Sequence, residues 1–295
     1  MMTSTSLKLN CPRQWLQFVG PINFMQSNEF YTYYKVTMPC GIYYCFKKIE
    51  RQSKSFNLHS FERFKKGLVN IGHLSNYTMA PLAYVVESDT AYIIYEYPQH
   101  GTLFDLLHGR CDDSILDWKS RFTIAVGVCR GLAILHGGSL FSDPIILLYV
   151  STTSIFMKHL HQPLIGDVEL GRAINPSEFA VAVGYVPPEY AYVMRVTEAG
   201  NMYNFGVIML ELLTGKPAIS EGMELAKWVL SKSIQHEDLG EVLDSRVSGK
   251  SIQVHQQMLL VLEIALQCLS VSSSERPDAK ELLETLLTLG QQFGI

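Results

Sequence analysis

The sequence predicts an α+β fold with two lobes, a small strand-rich lobe followed by a larger helical one. Its 295 residues are enough for two packed lobes. Short aromatic and β-branched runs occupy the first third, whereas apolar residues recur every three or four positions after Gly101. Because 47% of the residues are hydrophobic and 18% are charged, the composition is typical of a packed protein.

The same change of pattern sets the expected boundaries along the chain. We assign 1–19 to an N-terminal extension, 20–97 to the small lobe and 98–295 to the large lobe. A short connector at 96–101 joins the two lobes, and 20–290 together form one domain.

Three runs in the small lobe are rich in residues that suit strands. They lie at 30–34, 42–46 and 91–95. The segment 38–41 contains Pro and Gly and predicts a turn between the first two runs. A helical pattern at 61–68 separates the second run from the third. The small lobe is therefore predicted to be a mostly antiparallel sheet with one helix.

The first helices of the large lobe carry recognisable caps. Thr102 is placed to cap a helix over 103–107, with Asp105 completing a capping-box-like pair. Asp117 is placed to cap a long helix, which we expect Gly137-Gly138 to end.

The rest of the large lobe is predicted to be mainly helical around one buried element. The run 205–213 is apolar nearly all round, which indicates a helix in the centre of a lobe. Amphipathic patterns at 258–268 and 279–287 predict two further helices, the last starting at Asp278. The apolar run 144–150 is too short to span a membrane, and we interpret it as a buried strand.

Charge and cysteine content exclude several functional classes. A formal net charge of -4 argues against a nucleic-acid binder. The six cysteines form no C-x-x-C pair, which argues against a disulfide framework and a zinc site. The chain lacks an apolar run of about 20 residues and the apolar core of a signal peptide, so we expect it to be cytoplasmic as given.

Several motifs occur in the order and spacing of protein kinases. They are Tyr95-Glu96-Tyr97 with Gly101-Thr102-Leu103, Leu116-Asp117-Trp118 with 131–136, the G-Y-V-P-P-E-Y segment at 184–190, the buried-helix segment 203–215, and Glu275-Arg276-Pro277. The chain thus resembles the protein kinase superfamily over about 20–290. The residues within these motifs are most similar to those of plant leucine-rich-repeat receptor-like kinases. This resemblance implies a bilobal protein-kinase-like fold.

The resemblance also locates the positions that would bind the nucleotide phosphates. The three glycine positions of the phosphate-binding loop hold Gln26, Asn28 and Tyr31. Glycine has no side chain, so it lets the backbone N–H groups of the loop approach the phosphates without steric conflict. Because none of the three positions is glycine, we expect the phosphate-binding loop to be absent. A tyrosine at Tyr31 has the length to enter the phosphate space.

The phosphate-contacting lysine of the family aligns with Lys47. Lys48 is an alternative register, but strand alternation points Lys47 inward. The glutamate that orients this lysine in kinases is replaced by Gly67, and Glu62 would face away. Two interpretations of Lys47 stay open: a nucleotide contact, or a surface or cleft lysine without that role.

The catalytic loop, H-R-D-x-K-x-x-N in the family, aligns with 147–154. The base position holds Tyr149, the lysine position Ser151 and the metal position Ser154. A phenol of ordinary pKa about 10 is a poor base near neutrality, and a neutral hydroxyl is a weak Mg²⁺ ligand. The replacement also converts a polar loop into an apolar stretch. This is the strongest indication that catalysis is lost.

The metal-binding segment of the family aligns with 165–170. Asp167 is retained and is the candidate metal ligand. Val168 replaces the switching phenylalanine, and Glu169 replaces the flexible glycine. Glu169 could join a metal site, but we interpret it as a surface residue.

Three further positions match residues that hold the kinase fold together. Glu189 and Arg276 match a pair that forms a buried salt bridge in kinases. Asn201 aligns with the aspartate that anchors the catalytic loop, and it keeps hydrogen bonding without the charge. Their retention indicates that the fold is maintained.

These positions support three functional hypotheses. The first is a pseudokinase that acts as a scaffold or allosteric partner of an active receptor-like kinase or another signalling protein. The second is a weak or atypical ATP-dependent Ser/Thr protein kinase that uses Lys47 and Asp167. The third is a sensor that binds ATP without reacting. Vestigial ATP and Mg²⁺ contacts would come from Lys47, Glu96, Tyr97 and Asp167, and no cofactor is required by the first hypothesis.

The resemblance also bears on location. Relatives of this kind sit below a membrane span, so the chain would reach a membrane only through a segment outside it. We then expect the cytoplasmic face of the plasma membrane.

Overall fold

The structure is a computed structural model that describes residues 13–27, 31–50, 76–87, 90–109, 116–137, 144–170 and 183–295. The predicted helix at 61–68, which includes Glu62 and Gly67, lies outside these residues, and so does Asn28.

The small lobe contains a five-stranded antiparallel sheet with strand order β1-β2-β3-β5-β4. Its strands are β1 (Phe24–Ser27), β2 (Tyr31–Thr37), β3 (Tyr43–Glu50), β4 (Ala83–Val86) and β5 (Thr90–Glu96). The predicted turn at 38–41 is confirmed: the N–H of Met38 donates to the carbonyl of Ile42 (2.9 Å), and Gly41 adopts φ 81°. Glycine suits that left-handed backbone because it has no Cβ.

The two faces of this sheet are buried differently. Along β2, Tyr31 and Tyr33 lie on one face, and Tyr33 pairs in register with Lys47 on β3. These side chains pack against Phe156 and Leu170, which come from the large lobe. Strand alternation therefore directs Lys47 into the space between the lobes, as predicted.

The opposite face of the sheet is covered by part of the chain assigned to the N-terminal extension. A 3₁₀ helix at Arg13–Phe18 contributes Trp15, Leu16 and Phe18 to the cluster formed around Val36 and Phe46. The boundary at residue 20 stays a prediction, but these residues pack as part of the small lobe.

The large lobe is mainly helical. Its α-helices and strands, among the residues that the structure describes, are α1 (Leu103–His108), α2 (Trp118–Gly137), β6 (Ile155–His159), β7 (Gln162–Ile165), α3 (Tyr190–Val193), α4 (Glu198–Thr214), β8 (Ile219–Ser220), β9 (Met223–Glu224), α5 (Leu225–Ile234), α6 (Ser245–Ser248), α7 (Ile252–Cys268) and α8 (Ala279–Phe293). Helix α4 is buried along most of its length and packs against α2 and α7, as its apolar composition predicts. No helix in the described part of the chain is both long and apolar enough to cross a membrane.

The predicted caps are present. Thr102 and Asp105 form a capping box at α1, and Asp117 accepts the N–H of Ser120 (2.8 Å) at the start of α2. Asp278 accepts two backbone N–H groups at the start of α8. These side chains satisfy N–H groups that the first helical turn leaves unpaired, which fixes where each helix begins.

The interpretation of 144–150 as a strand is wrong. The segment is buried but has no regular structure, because side chains of α4 occupy its backbone groups. The N–H of Leu147 donates to Asn201 Oδ1 (2.9 Å), and the N–H of Val150 donates to Asn204 Oδ1 (3.1 Å). Backbone groups bonded to side-chain amides cannot join a sheet.

Candidate functional site between the lobes

A buried ion cluster joins the two lobes. Lys47 on β3 donates from Nζ to Asp167 Oδ1 (2.5 Å) and to Glu169 Oε1 (2.5 Å), both just after β7. The side chain of Lys47 is fully buried, and those of Asp167 and Glu169 are 6% and 1% exposed. One cation thus holds two carboxylates in a space closed to water.

This geometry corrects two interpretations of the sequence. Glu169 is not a surface residue, and Lys47 is not a surface lysine. Burial of Glu169 is possible because Lys47 lies within hydrogen-bonding distance, whereas an unpaired buried carboxylate would be strongly unfavourable. Glu169 therefore bonds the lysine where the family would use a glutamate of the small-lobe helix, at the position of Gly67.

Two tyrosines of β2 cover Asp167 from the small lobe. The hydroxyl of Tyr31 donates to Asp167 Oδ2 (2.5 Å), and that of Tyr33 donates to Oδ1 (2.8 Å). Tyr31 also lies 3.1 Å, hydroxyl to hydroxyl, from Tyr149 of the large lobe. The ammonium of Lys47 lies 4.0 Å from the centre of the Tyr31 ring, close enough for a cation–π contact. Tyr31 therefore occupies the space beside Lys47 and Asp167, as its length suggested.

Burial and charge set the ionisation of this cluster. Burial raises the pKa of Tyr31 and Tyr33 well above their ordinary value, and the negative charge of Asp167 raises them further. Burial acts to lower the pKa of Lys47, but the charges of Asp167 and Glu169 outweigh it and raise the pKa above its ordinary value. The phenols therefore stay neutral and the ammonium stays charged at neutral pH.

Asp167 has little room for a metal ion in this arrangement. A carboxylate offers about four lone-pair positions, and Lys47, Tyr31 and Tyr33 occupy three of them. In the described part of the chain, no group of three or more His, Cys, Asp or Glu side chains could hold a metal. A cation at Asp167 would have to displace at least one of the present donors.

The remaining catalytic-loop positions bond among themselves. Ser154 Oγ accepts the N–H of Ser151 (2.9 Å) and donates to its carbonyl (3.0 Å). Ser151 Oγ lies 2.8 Å from Thr153 Oγ1. These hydroxyls close a turn, and both serines are buried. They supply neither a base nor a charged metal ligand.

The structure does not bring Glu96 and Tyr97 to the ion cluster. Lys47 pairs in register with Ile93, so Glu96 lies about 10 Å further along β5 at 3.3 Å per residue. The Glu96 side chain is 70% exposed and pairs with Lys158 (3.0 Å). The ammonium group of Lys35 lies 4.5 Å from the centre of the Tyr97 ring. Their assignment to a nucleotide cleft stays a prediction.

Glu189 and Arg276 form a bidentate salt bridge. Arg276 Nη1 donates to Glu189 Oε1 (2.8 Å), and Nη2 donates to Oε2 (2.6 Å). Arg276 also donates to the carbonyls of Ala199 and Ser270, both at 2.9 Å. Burial acts to raise the pKa of Glu189, but Arg276 outweighs it and lowers the pKa below its ordinary value. The pair joins the residue before α3 to α4 and to the segment before α8.

Asn201 holds the catalytic loop from α4. Besides accepting the N–H of Leu147, it donates from Nδ2 to the Leu147 carbonyl (2.8 Å). His136 Nε2 lies 3.2 Å from Asn201 Oδ1. An aspartate could accept these bonds but could not donate to the carbonyl.

A second buried polar group, centred on Glu211, was not predicted from the sequence. Glu211 on α4 is fully buried and bonds the hydroxyl of Tyr185, His108 Nε2 (2.8 Å) and Thr152 Oγ1 (3.3 Å). A lone carboxylate within an apolar helix is a signal that could have revealed it, because buried acids are almost always paired. Tyr33 also escaped attention, although it stands two residues from Tyr31 on the same strand face.

Fold and site together define a protein kinase domain: a strand lysine of the small lobe meets an aspartate of the large lobe where the two lobes join. The family model for protein tyrosine and serine/threonine kinases matches residues 42–286. The chain belongs to this family.

The relatives that it resembles are plant receptor kinases. It is 30% identical over 283 residues to the leucine-rich repeat receptor-like tyrosine-protein kinase PXC3 of Arabidopsis thaliana, covering 91% of this chain and 31% of that protein. It is 31% identical to the LRR receptor-like serine/threonine-protein kinase RGI5 of the same plant, covering 86% and 25%. A third Arabidopsis receptor-like protein kinase has the word inactive in its name and is 33% identical, covering 76% and 40%. The chain spans about a quarter to a third of the length of the first two.

Proposed function

We propose that this chain is a pseudokinase domain that acts as a scaffold or allosteric partner of an active receptor-like kinase. One observation carries the proposal: Lys47, Tyr31 and Tyr33 all donate to Asp167 in a cluster closed to solvent. In an active kinase the corresponding lysine and aspartate serve the phosphates and the metal. Here they bind each other and two tyrosines.

A nucleotide could enter the site only by breaking contacts of the ion cluster. Entry of phosphate and Mg²⁺ beside Asp167 requires loss of the Tyr31 bond and separation of Lys47 from at least one carboxylate. Breaking a buried ion pair leaves an uncompensated charge and costs ~3–5 kcal/mol. Such a cost lowers nucleotide affinity by a factor of about 10² to 4 × 10³.

The contrast with the rest of the domain supports a binding role. The Glu189–Arg276 pair and the Asn201 contacts that hold the fold are present. The positions of the base, its supporting lysine and the second metal ligand carry only hydroxyl groups. General-base assistance alone is worth ~10²–10⁴ in rate, so several simultaneous losses leave negligible turnover. The proposed partner is an active receptor-like kinase domain at the cytoplasmic face of the plasma membrane.

Nucleotide binding gives the first test. We expect millimolar ATP, with or without Mg²⁺, to leave the thermal midpoint of unfolding unchanged, since only a ligand that binds the native state raises it. A rise without phosphate transfer would support the ATP sensor and contradict the closed cleft. Steady phosphate transfer that disappears in Asp167→Ala would establish an atypical kinase and overturn the proposal.

The partner role needs a separate measurement. Purified chain is titrated against cytoplasmic domains of active receptor-like kinases while their phosphorylation of a peptide is followed. We expect saturable binding to at least one domain, with or without a change in its rate, and the same result for Asp167→Ala. Absence of both binding and rate change across the panel contradicts the proposed role.

A further inference from the structure

The outer face of the small-lobe sheet is covered by residues 13–19, which we name the N-terminal strap. The strap begins with a 3₁₀ helix, and its apolar side chains pack against the sheet. The ring of Trp15 lies 5.5 Å, centre to centre, from the ring of Tyr44 on β3. Asn23 Nδ2 donates to the carbonyl of Phe18 (2.7 Å), which fixes the end of this helix. The strap is therefore a structured part of the small lobe, and the proposed function does not use it.

The strap covers the sheet more completely than it is itself buried. Val36, Phe46 and Ile94 lie on three neighbouring strands, are 0% exposed and belong to the cluster against which the strap packs. Trp15 and Phe18 are only partly buried. A segment with partly exposed contacts opens at a lower free-energy cost than the fully buried strands beneath it. The strap can therefore leave the sheet while the rest of the domain stays folded.

Strand β3 connects the strap to the ion cluster. Adjacent residues of a strand point to opposite faces, so Phe46 faces the strap and Lys47 faces the large lobe. Their partners on β2 alternate in the same way, since Tyr34 pairs with Phe46 and Tyr33 pairs with Lys47. Departure of the strap exposes Phe46 to water and removes packing that holds the two strands in this alignment. The bonds from Lys47 and Tyr33 to Asp167 depend on that alignment.

We propose that the N-terminal strap keeps the cleft closed, because its packing on the outer face of the sheet stabilises the Lys47 cluster on the inner face. This inference rests on the proposed function, since it concerns the control of the same cluster. Docking of the strap and formation of the cluster favour each other, so detachment of the strap shifts the domain towards a state in which Lys47 is accessible. The strap thereby acts as a removable support of the closed cleft.

Acetylation of lysine side chains by acetic anhydride tests this coupling on the full chain at neutral pH. Lys47 is fully buried and should react slowly, whereas the Lys48 side chain is 27% exposed and should react quickly. Trp15→Ala should raise the acetylation rate of Lys47 about tenfold, because the accessible state becomes more populated, and should leave the rate of Lys48 unchanged. Fragment-ion mass spectrometry distinguishes the two adjacent residues.

Control variants separate the strap from general destabilisation, each measured at the same interval below its thermal midpoint of unfolding. Ile22→Ala, at a residue beside the strap that is 96% exposed, should leave the Lys47 rate unchanged. Val261→Ala removes buried contacts in the core of the large lobe and should also leave it unchanged. Phe18→Leu is the milder strap variant and serves if Trp15→Ala fails to fold. An unchanged Lys47 rate in the folded strap variants, or an equal rise in Val261→Ala, overturns the proposal.

The unchanged chain distinguishes failure of this inference from failure of the proposed function. If the cleft is closed but the strap does not support it, Lys47 reacts slowly in the unchanged chain and equally slowly in the strap variants. If Lys47 reacts as fast as Lys48 in the unchanged chain, the ion cluster is open, and the proposed function loses the observation that carries it.

Discussion

Lys47 occupies the position of the phosphate-contacting lysine of protein kinases, but in this chain it bonds two carboxylates. Two carboxylates from the same short segment, Asp167 and Glu169, share its ammonium group, and both are almost completely buried. The cluster carries one net negative charge, which the hydroxyls of Tyr31 and Tyr33 stabilise by hydrogen bonding. Removal of Lys47 would leave two buried carboxylates unpaired.

Lys47→Met should therefore destabilise the protein by ~3–5 kcal/mol, measured by urea unfolding at pH 7.5, because it removes the only cation of this cluster seen among the described residues. Lys48→Met is the matched control. Lys48 is the next residue on the same strand and pairs with the exposed Glu50, so the change should stay within about 0.5 kcal/mol. Equal effects of the two substitutions would mean that the Lys47 cluster does not form.

At the scale of elements, helix α4 organises the loop that would carry catalysis. Asn201 and Asn204 on this helix bond the backbone of 147–150, and Glu211, two turns further on, bonds Thr152. The loop is thus kept in place by side-chain amides although its own catalytic groups are gone. Asn201 does more than stand in for an aspartate, because its Nδ2 donates to the Leu147 carbonyl. The Asn201 side chain therefore both accepts from and donates to the backbone of Leu147.

Restoring the family aspartate should consequently weaken the fold. Asn201→Asp replaces a donor with a carboxylate oxygen facing the Leu147 carbonyl, in a site only 1% exposed. A loss of ~2–3 kcal/mol at pH 8 is expected, since a buried acceptor is left unsatisfied. The loss should shrink as the pH is lowered, because protonated His136 would pair with the new carboxylate beside it.

The control for this substitution is Asn76→Asp, which changes the same chemistry at an exposed position and should stay within about 0.5 kcal/mol. Burial lowers the pKa of His136 in the unchanged protein, so its own charge does not contribute at pH 8. A stable Asn201→Asp variant at pH 8 would show that the amide bond to Leu147 contributes nothing.

At the scale of the whole molecule, local patterns predicted more than long-range contacts did. Strands β2, β3 and β5, the capped helices and the buried α4 follow from residue patterns and capping residues within short windows, whereas β1 and β4 were not predicted. Glu169 was misread because its burial depends on Lys47, 122 residues away. The segment 144–150 was misread because its apolar residues suit a strand, whereas amides 54 residues away hold its backbone. Pairs of polar groups that lie far apart in the sequence produce no regular spacing of residues along the chain. The closed cluster could therefore not be derived from the sequence.

The cluster spans both lobes, so its titration should contribute to the loss of stability of the whole domain at high pH. Lys47, Tyr31 and Tyr33 all have a pKa raised above the ordinary value in the folded state. The unfolded chain releases these protons first, near pH 10 for tyrosine and about 10.4 for lysine. Above that range the folded state binds more protons than the unfolded state, and its stability falls as pH rises.

Burial also raises the pKa of the Cys45, Cys129 and Cys268 thiols, so the free energy of unfolding should begin to fall above pH about 8.5. We expect a steeper fall above pH 10, where each group of the cluster adds about 1.4 kcal/mol per pH unit. Urea unfolding at pH 9, 10 and 11 measures this slope. Tyr31→Phe removes one titrating group and should reduce the slope by about that amount. Tyr192→Phe, at a position that is 89% exposed, should leave it unchanged. If Tyr31→Phe and Tyr192→Phe give the same slope as the unchanged chain, the Tyr31 hydroxyl is not held at Asp167 and the cleft is not closed by this contact.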